Sequence, residues 1–448
     1  MKKKSGVLIA FLSALWVVLL GQDKVVVGYY PAWMKYRLPA ASIRFENLTH
    51  ICHAFVWPDE NGNLISYPDF DYSELVECAH DEDVKVLVSV GGYGQSWGFP
   101  IVAGNSALLQ QFIENLIDFC IENNYDGIDI DWEFPYSDRD RNLVDTLVSR
   151  LGKYIREEEE ELLLTMAVPA SSYYGQWFDF DFLGNYVDWF GCMTYDFMGE
   201  WSPVATHNSP LYSRSGTMGS VADAVKYLMN RKVGKEKILI GIPFYGRGCN
   251  ADRLFGANNG GNFEKLYSEI AGELHTEWEY YWDEICKVPY AFHKEERRFL
   301  SFDDTLSVRF KCEFVRENQL RGAIIWALGQ DIVNGEEVLL AAVGENLTST
   351  GIGVHNDGKV CEGFKSYCYP NPFNSMATLN ISLDGNCYVR IDLYDILGRF
   401  LFRLYEGYMS AGEDRLKFDA GSKLPSGCYM YVVSAGSRKF RGSFTVLK

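Results

Sequence analysis

Short runs of apolar residues recur between residues 24 and 327 and set the pattern of the chain. Each run holds five to seven residues rich in Val, Ile and Leu, which is typical of parallel strands buried on both faces. The runs are Lys24–Tyr29, Thr49–Phe55, Val84–Val90, Gly127–Asp131, Leu162–Val168, Val187–Met193, Ile238–Ile242 and Gly322–Ala327. The pattern predicts eight strands.

Helical patterns lie between several of these runs. One apolar stripe has alternating spacings of three and one residues, and it consists of Leu109, Phe112, Ile113, Leu116, Ile117 and Cys120. A second helical pattern covers Val221–Met229. Because strand and helix alternate eight times, the sequence predicts an α/β fold of the (β/α)8 TIM-barrel type, with an open doubly wound sheet as the alternative.

The pattern changes after Val343. Residues 344–358 are polar and rich in Gly, Asn and Thr, as expected of a linker, and short alternating runs such as Tyr388–Tyr394 and Cys428–Val433 follow, separated by turn signals. We therefore predict a small all-β sandwich at the C-terminus. The predicted division is a signal peptide at 1–21, a catalytic barrel at 22–345, a linker at 346–366 and the sandwich at 367–448.

The first residues have the features of an export signal. Lys2–Lys4 form a basic head, and the apolar run Gly6–Leu20 is too short to span a bilayer comfortably. The match to a cleavage site around Leu19–Gly21 is poor, which leaves an uncleaved anchor as the alternative. We expect an extracellular or cell-surface protein.

Composition narrows the classes of partner. With 47% apolar residues the 448-residue chain can bury large cores, and its net charge of −18 disfavours nucleic acid and anionic membranes as partners and suits a neutral substrate. The eleven cysteines lack C-x-x-C spacing, so neither a metal site nor a cofactor is predicted. Export permits disulfides, for example Cys361 with Cys368 or Cys387 with Cys428.

Three carboxylates follow one another along the fourth predicted strand. In the run Asp126–Glu133, strand alternation puts Asp129, Asp131 and Glu133 on one face, with neighbours roughly 7 Å apart. The opposite face carries Ile128, Ile130 and Trp132. Since parallel strands are covered on both sides, the carboxylates point into an enclosed space, where like charges raise one another's pKa.

The predicted strand ends are rich in aromatic and polar residues. In a (β/α)8 barrel the active site lies at the carboxyl ends of the strands. Aromatic faces combined with a few hydrogen-bonding groups suit sugar rings. The residues at these ends include Tyr30, Trp33, Phe55, Trp57, Gly91, Gly92, Met166, Tyr195, Asp196, Tyr245, Arg247 and Trp326.

Residues 24–345 resemble glycoside hydrolase family 18, the family of chitinases. The run Asp126–Glu133 is similar to the family signature D-x-x-D-x-D-x-E, and Ser89–Gly92, Met193–Asp196, Gly241–Arg247 and Trp326 match further family motifs. The family is an exception among glycosidases because the N-acetyl group of the substrate acts as the nucleophile. The resemblance implies hydrolysis of chitin or N-acetylglucosamine oligomers with retention and without a cofactor.

The resemblance also implies roles for individual residues. Glu133 would be the general acid and base, Asp131 would orient the acetamido group, Asp129 would share a proton behind it, and Tyr195 would hydrogen-bond the acetamido oxygen. The implied substrate-binding residues are Asp196, Met193, Tyr245, Arg247, Trp326, Phe55, Tyr30 and Trp33. The implied structural residues near the site are Ser89, Gly91, Gly92 and Asp126. About 40 residues separate Arg247 from Pro289, so we expect a shortened insertion after the seventh strand.

Other functions remain open on the sequence alone. The nearest alternative is an endo-β-N-acetylglucosaminidase acting on N-glycans or related polymers, and a non-catalytic chitin-binding lectin is the second. The C-terminal segment resembles sorting domains of type IX secretion in Tyr369–Asn374, Tyr394–Arg399 and Ser426–Tyr429. That resemblance implies recognition by a type IX-like secretion machinery, and a simple sugar-binding sandwich is the alternative.

Overall fold

A computed structural model describes residues 24–348, except 69, 71–72, 159–160, 215–218 and 275, and residues 364–448, except 375, 384–386, 397–398, 410–411, 420–423 and 436–437. The predicted signal peptide lies outside the described residues, and so does most of the predicted linker. The chain divides into two compact units, Met1–Thr350 and Gly351–Lys448.

Eight parallel strands form a closed barrel in the first unit. They are β1 (Val25–Pro31), β2 (His50–Pro58), β4 (Lys85–Gly91), β5 (Gly127–Asp131), β6 (Leu163–Pro169), β7 (Trp189–Met193), β8 (Ile238–Pro243) and β14 (Gly322–Trp326), and β3 (Leu64–Ser66) extends the sheet beside β2. The barrel closes because β1 pairs with both β2 and β14. The predicted TIM barrel is confirmed.

The helices of this unit follow the strands. They are α1 (Ser73–Asp81), α2 (Phe99–Ala103), α3 (Ser106–Glu122), α4 (Asp138–Glu158), α5 (Ser172–Gly175), α6 (Phe180–Leu183), α7 (Val221–Asn230), α8 (Tyr267–Glu273), α9 (Thr305–Glu317) and α10 (Val338–Leu347). The apolar stripe predicted between residues 109 and 120 is the buried face of α3, whose first turn is capped by Asn105. None of the helices in the described part of the chain has the length and apolar character needed to cross a bilayer.

An α+β insertion lies between β8 and β14. It consists of β9 (Tyr245–Asn250), β10 (Phe263–Leu266), β11 (Trp278–Asp283), β12 (Val288–His293), β13 (Arg298–Ser301) and α8. Its five strands form an antiparallel sheet in the order β10-β9-β13-β12-β11. The sheet and α8 span Tyr245–Ser301, which extends beyond the 40 residues between Arg247 and Pro289 from which we expected a shortened insertion. Strand β9 carries Arg247 beside the barrel mouth. The short strands β15 (Ile332–Val333) and β16 (Glu336–Glu337) follow β14.

The second unit is all-β, as predicted. Its strands are β17 (Phe364–Tyr369), β18 (Met376–Leu383), β19 (Cys387–Asp395), β20 (Phe400–Met409), β21 (Gly412–Asp419), β22 (Gly427–Ala435) and β23 (Arg438–Val446). They form two sheets, β17-β18-β21 and β20-β19-β22-β23, which share one hydrophobic core. Cys368 and Cys428 are free thiols among the described residues, and Cys361, the partner that we considered for Cys368, lies outside them.

Candidate active site

The three predicted carboxylates meet at the carboxyl end of β5. Asp129 and Asp131 lie within the strand and are 2% and 3% exposed, and Glu133 follows two residues later. All three therefore lie on the strand face that looks into the barrel, as the alternation of side chains requires. The buried row defines the bottom of the candidate site.

Hydroxyl groups hold Asp129 from three strands. Its Oδ2 accepts hydrogen bonds from Tyr29 Oη at 2.8 Å and Ser89 Oγ at 2.9 Å, and its Oδ1 accepts one from Thr165 Oγ1 at 2.7 Å. Ser89 and Thr165 are the register partners of Asp129 on β4 and β6. Burial raises the pKa of Asp129, and the hydrogen bonds oppose that rise. The carboxyl is therefore fixed in one orientation.

Asp131 is buried with a free carboxyl oxygen. Its Oδ1 has no hydrogen-bond partner among the described residues. Burial, and then the charges of Glu133 and Asp129, raise the pKa of Asp131 well above its usual range. A buried polar atom without a partner is unfavourable, so this oxygen is a natural acceptor for a ligand N–H.

Glu133 lies at the inner end of the cleft. Its backbone N–H donates to Ser96 Oγ at 2.9 Å. Burial, and then the charge of Asp196, raise the pKa of the Glu133 carboxyl to about 7, although a backbone N–H of Tyr93 opposes the rise. A carboxyl that titrates near neutrality can both give and take a proton there, which is what general acid–base catalysis needs.

Two glycines form the backbone beside the carboxylates. Gly91 and Gly92 have φ values of 109° and 88°, which favour glycine. A Cβ on Gly91 would lie 2.2 Å from the carbonyl oxygen of Asp131, and the N–H of Gly92 donates to that oxygen at 2.7 Å. Both residues thus bring the backbone at the end of β4 close to that of Asp131, next to the carboxylate row.

A second charged cluster stands beside Glu133. Arg247 binds Asp196 through both carboxylate oxygens, with Nη2 donating to Oδ2 at 2.9 Å, and Tyr245 Oη donates to Oδ1. Arg247 also pairs with Glu264 at 3.2 Å and lies 5.5 Å from the ring of Trp201. The cluster brings hydrogen-bonding groups from the loop after β7, from β9 and from β10 to one side of the barrel mouth.

Tyr195 faces both groups of carboxylates. Burial raises its pKa well above the usual range, and the charges of Asp131, Glu133 and Asp196 raise it further. Its ring lies 6.2 Å from that of Tyr245 in an edge-to-face arrangement. The phenol hydroxyl therefore stays protonated and can donate a hydrogen bond.

Aromatic rings cover the other side of the row. Trp326 lies 5.7 Å from Tyr29 and stacks on Phe55 at 5.8 Å, and Met193 packs against the same cluster. The bonds Ala54–Phe55, Glu133–Phe134 and Trp326–Ala327 are cis. Trp326 is half-buried, whereas Phe55 is buried beneath it. The rings form an apolar floor next to Asp131.

Trp33 is exposed at the barrel mouth. It is 47% exposed and packs edge-on against Tyr67 at 5.2 Å, and Tyr67 in turn packs against Trp57 at the same distance. The three rings form a row that leads from the strand ends to solvent. The Trp33 ring is therefore accessible from solvent.

Two residues lie elsewhere than the sequence predicted. Tyr30 was expected to contact substrate, but it is fully buried and its hydroxyl donates to the carbonyl of Leu38, because alternation turns it away from the barrel interior. Its neighbour Tyr29 faces inward instead. Asp126 was expected near the site, but it precedes β5 at the opposite barrel end, where its carboxylate accepts from Val86 N–H.

Several residues of the site were missed by the sequence reasoning. Thr165 carries the one hydroxyl group within the apolar run of the fifth predicted strand, and this isolated polar side chain could have identified it as a site residue. Ser96 and Glu264 lie in loops or on an insertion strand, where no periodicity pointed to them. Tyr29 is adjacent to Tyr30, the residue that the sequence predicted to contact substrate.

A cluster of potential metal ligands lies in the insertion region. Side-chain atoms of His207, Asp283 and Cys286 lie within 4.8 Å of one another. Both Asp283 oxygens accept from Arg214, at 3.0 and 2.9 Å, and Oδ2 also contacts His207. The guanidinium of Arg214 therefore supplies the positive charge that a metal would bring.

Comparison with known proteins identifies both units. Residues 25–331 match the model of the family "Glycosyl hydrolases family 18", and residues 367–446 match "Secretion system C-terminal sorting domain". Both resemblances drawn from the sequence are thereby confirmed.

Similar chains include proteins named as chitinases. Chitinase A1 of Niallia circulans is 27% identical over 68% of this chain and 56% of its own length, and chitotriosidase-1 of Mus musculus is 30% identical over 73% and 77%. The solved structure of the Ostrinia furnacalis group IV chitinase in complex with allosamidin aligns with a TM-score of 0.67 and 28% identity, covering 73% of this chain and all of that one. By its fold and these matches, the chain belongs to glycosyl hydrolases family 18.

Proposed function

We propose that this glycoside hydrolase is an exported chitinase that cleaves β-1,4 linkages between N-acetylglucosamine units with retention. The observation that carries the proposal is the pairing of the buried Asp131 with the half-buried Glu133. Glu133 titrates near neutrality, and Asp131 beside it presents a buried carboxyl oxygen without a protein partner.

Glu133 is the general acid and then the general base. With a pKa of about 7 it holds a proton in a large fraction of molecules at neutral pH and donates it to the leaving oxygen. After departure of the leaving sugar, the resulting carboxylate takes a proton from the water that bonds to C1, and the bond between C1 and the acetamido oxygen breaks. The same carboxyl thus serves both half-reactions.

Asp131 positions the nucleophile. The free Oδ1 accepts the N–H of the substrate acetamido group, so that the acetamido carbonyl oxygen attacks C1 and forms an oxazolinium ion. The ionised carboxylate of Asp131 stabilises the positive charge that develops on the oxazolinium ring. Asp129, fixed by three hydroxyls, shares a proton with the row so that the three groups do not all ionise.

The surrounding residues bind the sugar. Tyr195 donates a hydrogen bond to the acetamido oxygen and holds it in line with C1. Sugar hydroxyls beside the cleaved bond are bound by Asp196, Tyr245 and Arg247. These side chains form one hydrogen-bonded cluster at the barrel mouth and offer both donors and acceptors there. Trp326 lies beneath the sugar ring, with Met193 and Phe55 packed around it, and Trp33 contacts a sugar farther out.

The C-terminal unit directs the enzyme out of the cell. Its match to a secretion sorting domain supports recognition by a type IX-like machinery, with release or attachment at the cell surface. The basic and apolar N-terminus supports a first export step. Deleting residues 367–448 should leave the barrel inside the cell envelope, whereas unchanged export would contradict this role.

Mass spectrometry of the products of N-acetylglucosamine hexamers tests the enzymatic proposal. Wild-type protein should release shorter oligomers, and Glu133→Gln should lower kcat/KM by about 10² to 10⁴. Glu122→Gln, which changes an exposed carboxylate on α3, is the matched control and should retain activity. Retained activity in Glu133→Gln would remove this residue from its role. Cleavage of a high-mannose glycoprotein and not of the hexamer would favour an endo-β-N-acetylglucosaminidase.

A further inference from the structure

A second concave surface lies on the insertion, away from the carboxylate row. It is a groove of about 560 Å³ between the segment 251–254 and the strands β11 and β12. Tyr281, Tyr290 and Phe292 form its aromatic side. Its polar rim consists of Asp252, Arg253, His293, Glu296 and Arg297.

Tyr281 presents an aromatic face to this groove. Its ring stacks on Tyr290 at 5.3 Å with an interplanar angle of 16°, and Phe292 packs edge-on against it at 6.0 Å. In the described sheet β11 is an edge strand, so no further strand covers the outer side of Tyr281, which is 37% exposed. A hydrogen bond from its hydroxyl to Glu279 holds the ring in place. The ring is therefore ordered before any ligand arrives.

The rim is polar but carries no net charge. Besides His293 it contains two acidic and two basic side chains, and Asp252 pairs with Arg297 at 3.2 Å. Such a rim offers both donors and acceptors to hydroxyl groups, yet it gives no advantage to an anion or a cation. An ordered aromatic face combined with neutral hydrogen-bonding groups suits a neutral sugar.

The groove is separate from the candidate active site. Tyr281, Tyr290, Ser301 and Arg247 form one row across the sheet, so all four point to the same face. Three strand spacings place Tyr281 about 14 Å from Arg247. Between them, His207 lies 5.7 Å from the ring of Tyr290 and 3.4 Å from Ser301 Oγ, and it covers the middle of the row. A sugar chain in the cleft therefore does not continue directly into the groove.

We propose that this groove is a second carbohydrate-binding site, which takes a neutral pyranose chain stacked on Tyr281. The choice of sugar rests on the proposed function, and on that basis the ligand is a distant stretch or a neighbouring chain of the same β-1,4-N-acetylglucosamine polymer. Because one polymer presents many copies of the ligand, a weak second contact raises the apparent affinity for the polymer without changing the chemistry of the cleft.

Adsorption of the full chain to insoluble chitin, measured beside hydrolysis of the soluble N-acetylglucosamine trimer, tests this site. We expect Tyr281→Ala to weaken adsorption about tenfold, which corresponds to about 1.4 kcal/mol, and to leave trimer hydrolysis within twofold of the wild type. Tyr281→Phe keeps the ring and should adsorb like the wild type. Ile121→Ala removes a side chain that is 53% exposed on α3 and should change neither property.

The outcomes separate this site from the proposed function. Unchanged adsorption of Tyr281→Ala would overturn the second site. It would also be overturned if Ile121→Ala lost as much adsorption as Tyr281→Ala, or if Tyr281→Ala lost trimer hydrolysis to the same extent as adsorption. Failure of the wild type to adsorb to chitin would overturn it as well. A wild-type protein that adsorbs through Tyr281 but cleaves neither the N-acetylglucosamine trimer nor the hexamer would keep the second site and refute the hydrolytic proposal.

Discussion

Replacing Glu133 by Gln should make the barrel more stable while it removes activity. The surroundings raise the pKa of this carboxyl from 4.5 to about 7, so the folded state disfavours its charged form. Each tenfold change in an ionisation constant corresponds to 1.36 kcal/mol, which gives an unfavourable contribution of about 3 kcal/mol when the group is ionised. An uncharged amide of nearly the same shape does not suffer this penalty.

The effect has a defined pH dependence. Above pH 7 the wild-type group is ionised in both the folded and the unfolded state, so the full penalty is present and Glu133→Gln is stabilising. At pH 4.5 the folded state is protonated, and the penalty falls below about 0.5 kcal/mol. Loss of the neighbouring charge also lowers the pKa of Asp131 toward its usual range, which acts in the same direction.

Calorimetry of the thermal unfolding of the barrel, at pH 8 and at pH 4.5, measures the difference in stability between Glu133→Gln and the wild type. With an unfolding entropy of about 2.1 cal/mol/K per residue, 3 kcal/mol spread over residues 24–348 raises Tm by about 4 °C at pH 8. At pH 4.5 the gain should be under about 1 °C. Glu122→Gln should shift Tm at neither pH. No gain at pH 8, or an equal gain at both pH values, would refute the assignment of a raised pKa to this carboxyl.

Three further outcomes follow from the contacts of the site. In wild type, kcat/KM should fall above about pH 7 as the acid loses its proton, and Asp196→Asn should move this fall to lower pH because it removes a neighbouring negative charge; an unmoved pH profile would contradict the link. Tyr29→Phe should lower kcat about tenfold while Tyr30→Phe leaves kcat unchanged, which steady-state kinetics can separate. Lys311→Met should destabilise the barrel in urea by about 3 to 5 kcal/mol, because it leaves the buried Asp303 without its partner, and replacing Asp303 by Leu as well should restore most of the loss.

The barrel was predictable because its strands are buried on both faces. Such strands are continuous apolar runs, and all eight runs correspond to barrel strands in the structure. The same property explains the error at Tyr30. In β1 every residue is buried, so hydrophobicity does not distinguish the inner face from the outer face. The contacts of the two hydroxyls, Tyr29 with Asp129 and Tyr30 with the carbonyl of Leu38, show which tyrosine looks inward.

The carboxylate row was predictable for the opposite reason. Charged and apolar residues alternate strictly from Ile128 to Glu133, so strand geometry alone puts the acids on one face. Strand ends and family motifs pointed to Asp196, Tyr245 and Arg247 separately but not to their contacts, because Asp196 follows β7 and the other members of its cluster lie on β9 and β10, far apart in the sequence. No pattern in the sequence predicted the groove beside Tyr281, because the groove depends on which strand lies at the edge of the insertion sheet.

The configuration of the first product tests the central claim most directly. If the acetamido group of the substrate attacks C1 with Asp131 and Glu133 assisting, the newly formed reducing end must be released as the β-anomer. Proton NMR of N-acetylglucosamine tetramer hydrolysis, recorded before mutarotation, should therefore show the β-anomer first. Initial release of the α-anomer would mean direct attack by water and would contradict the account.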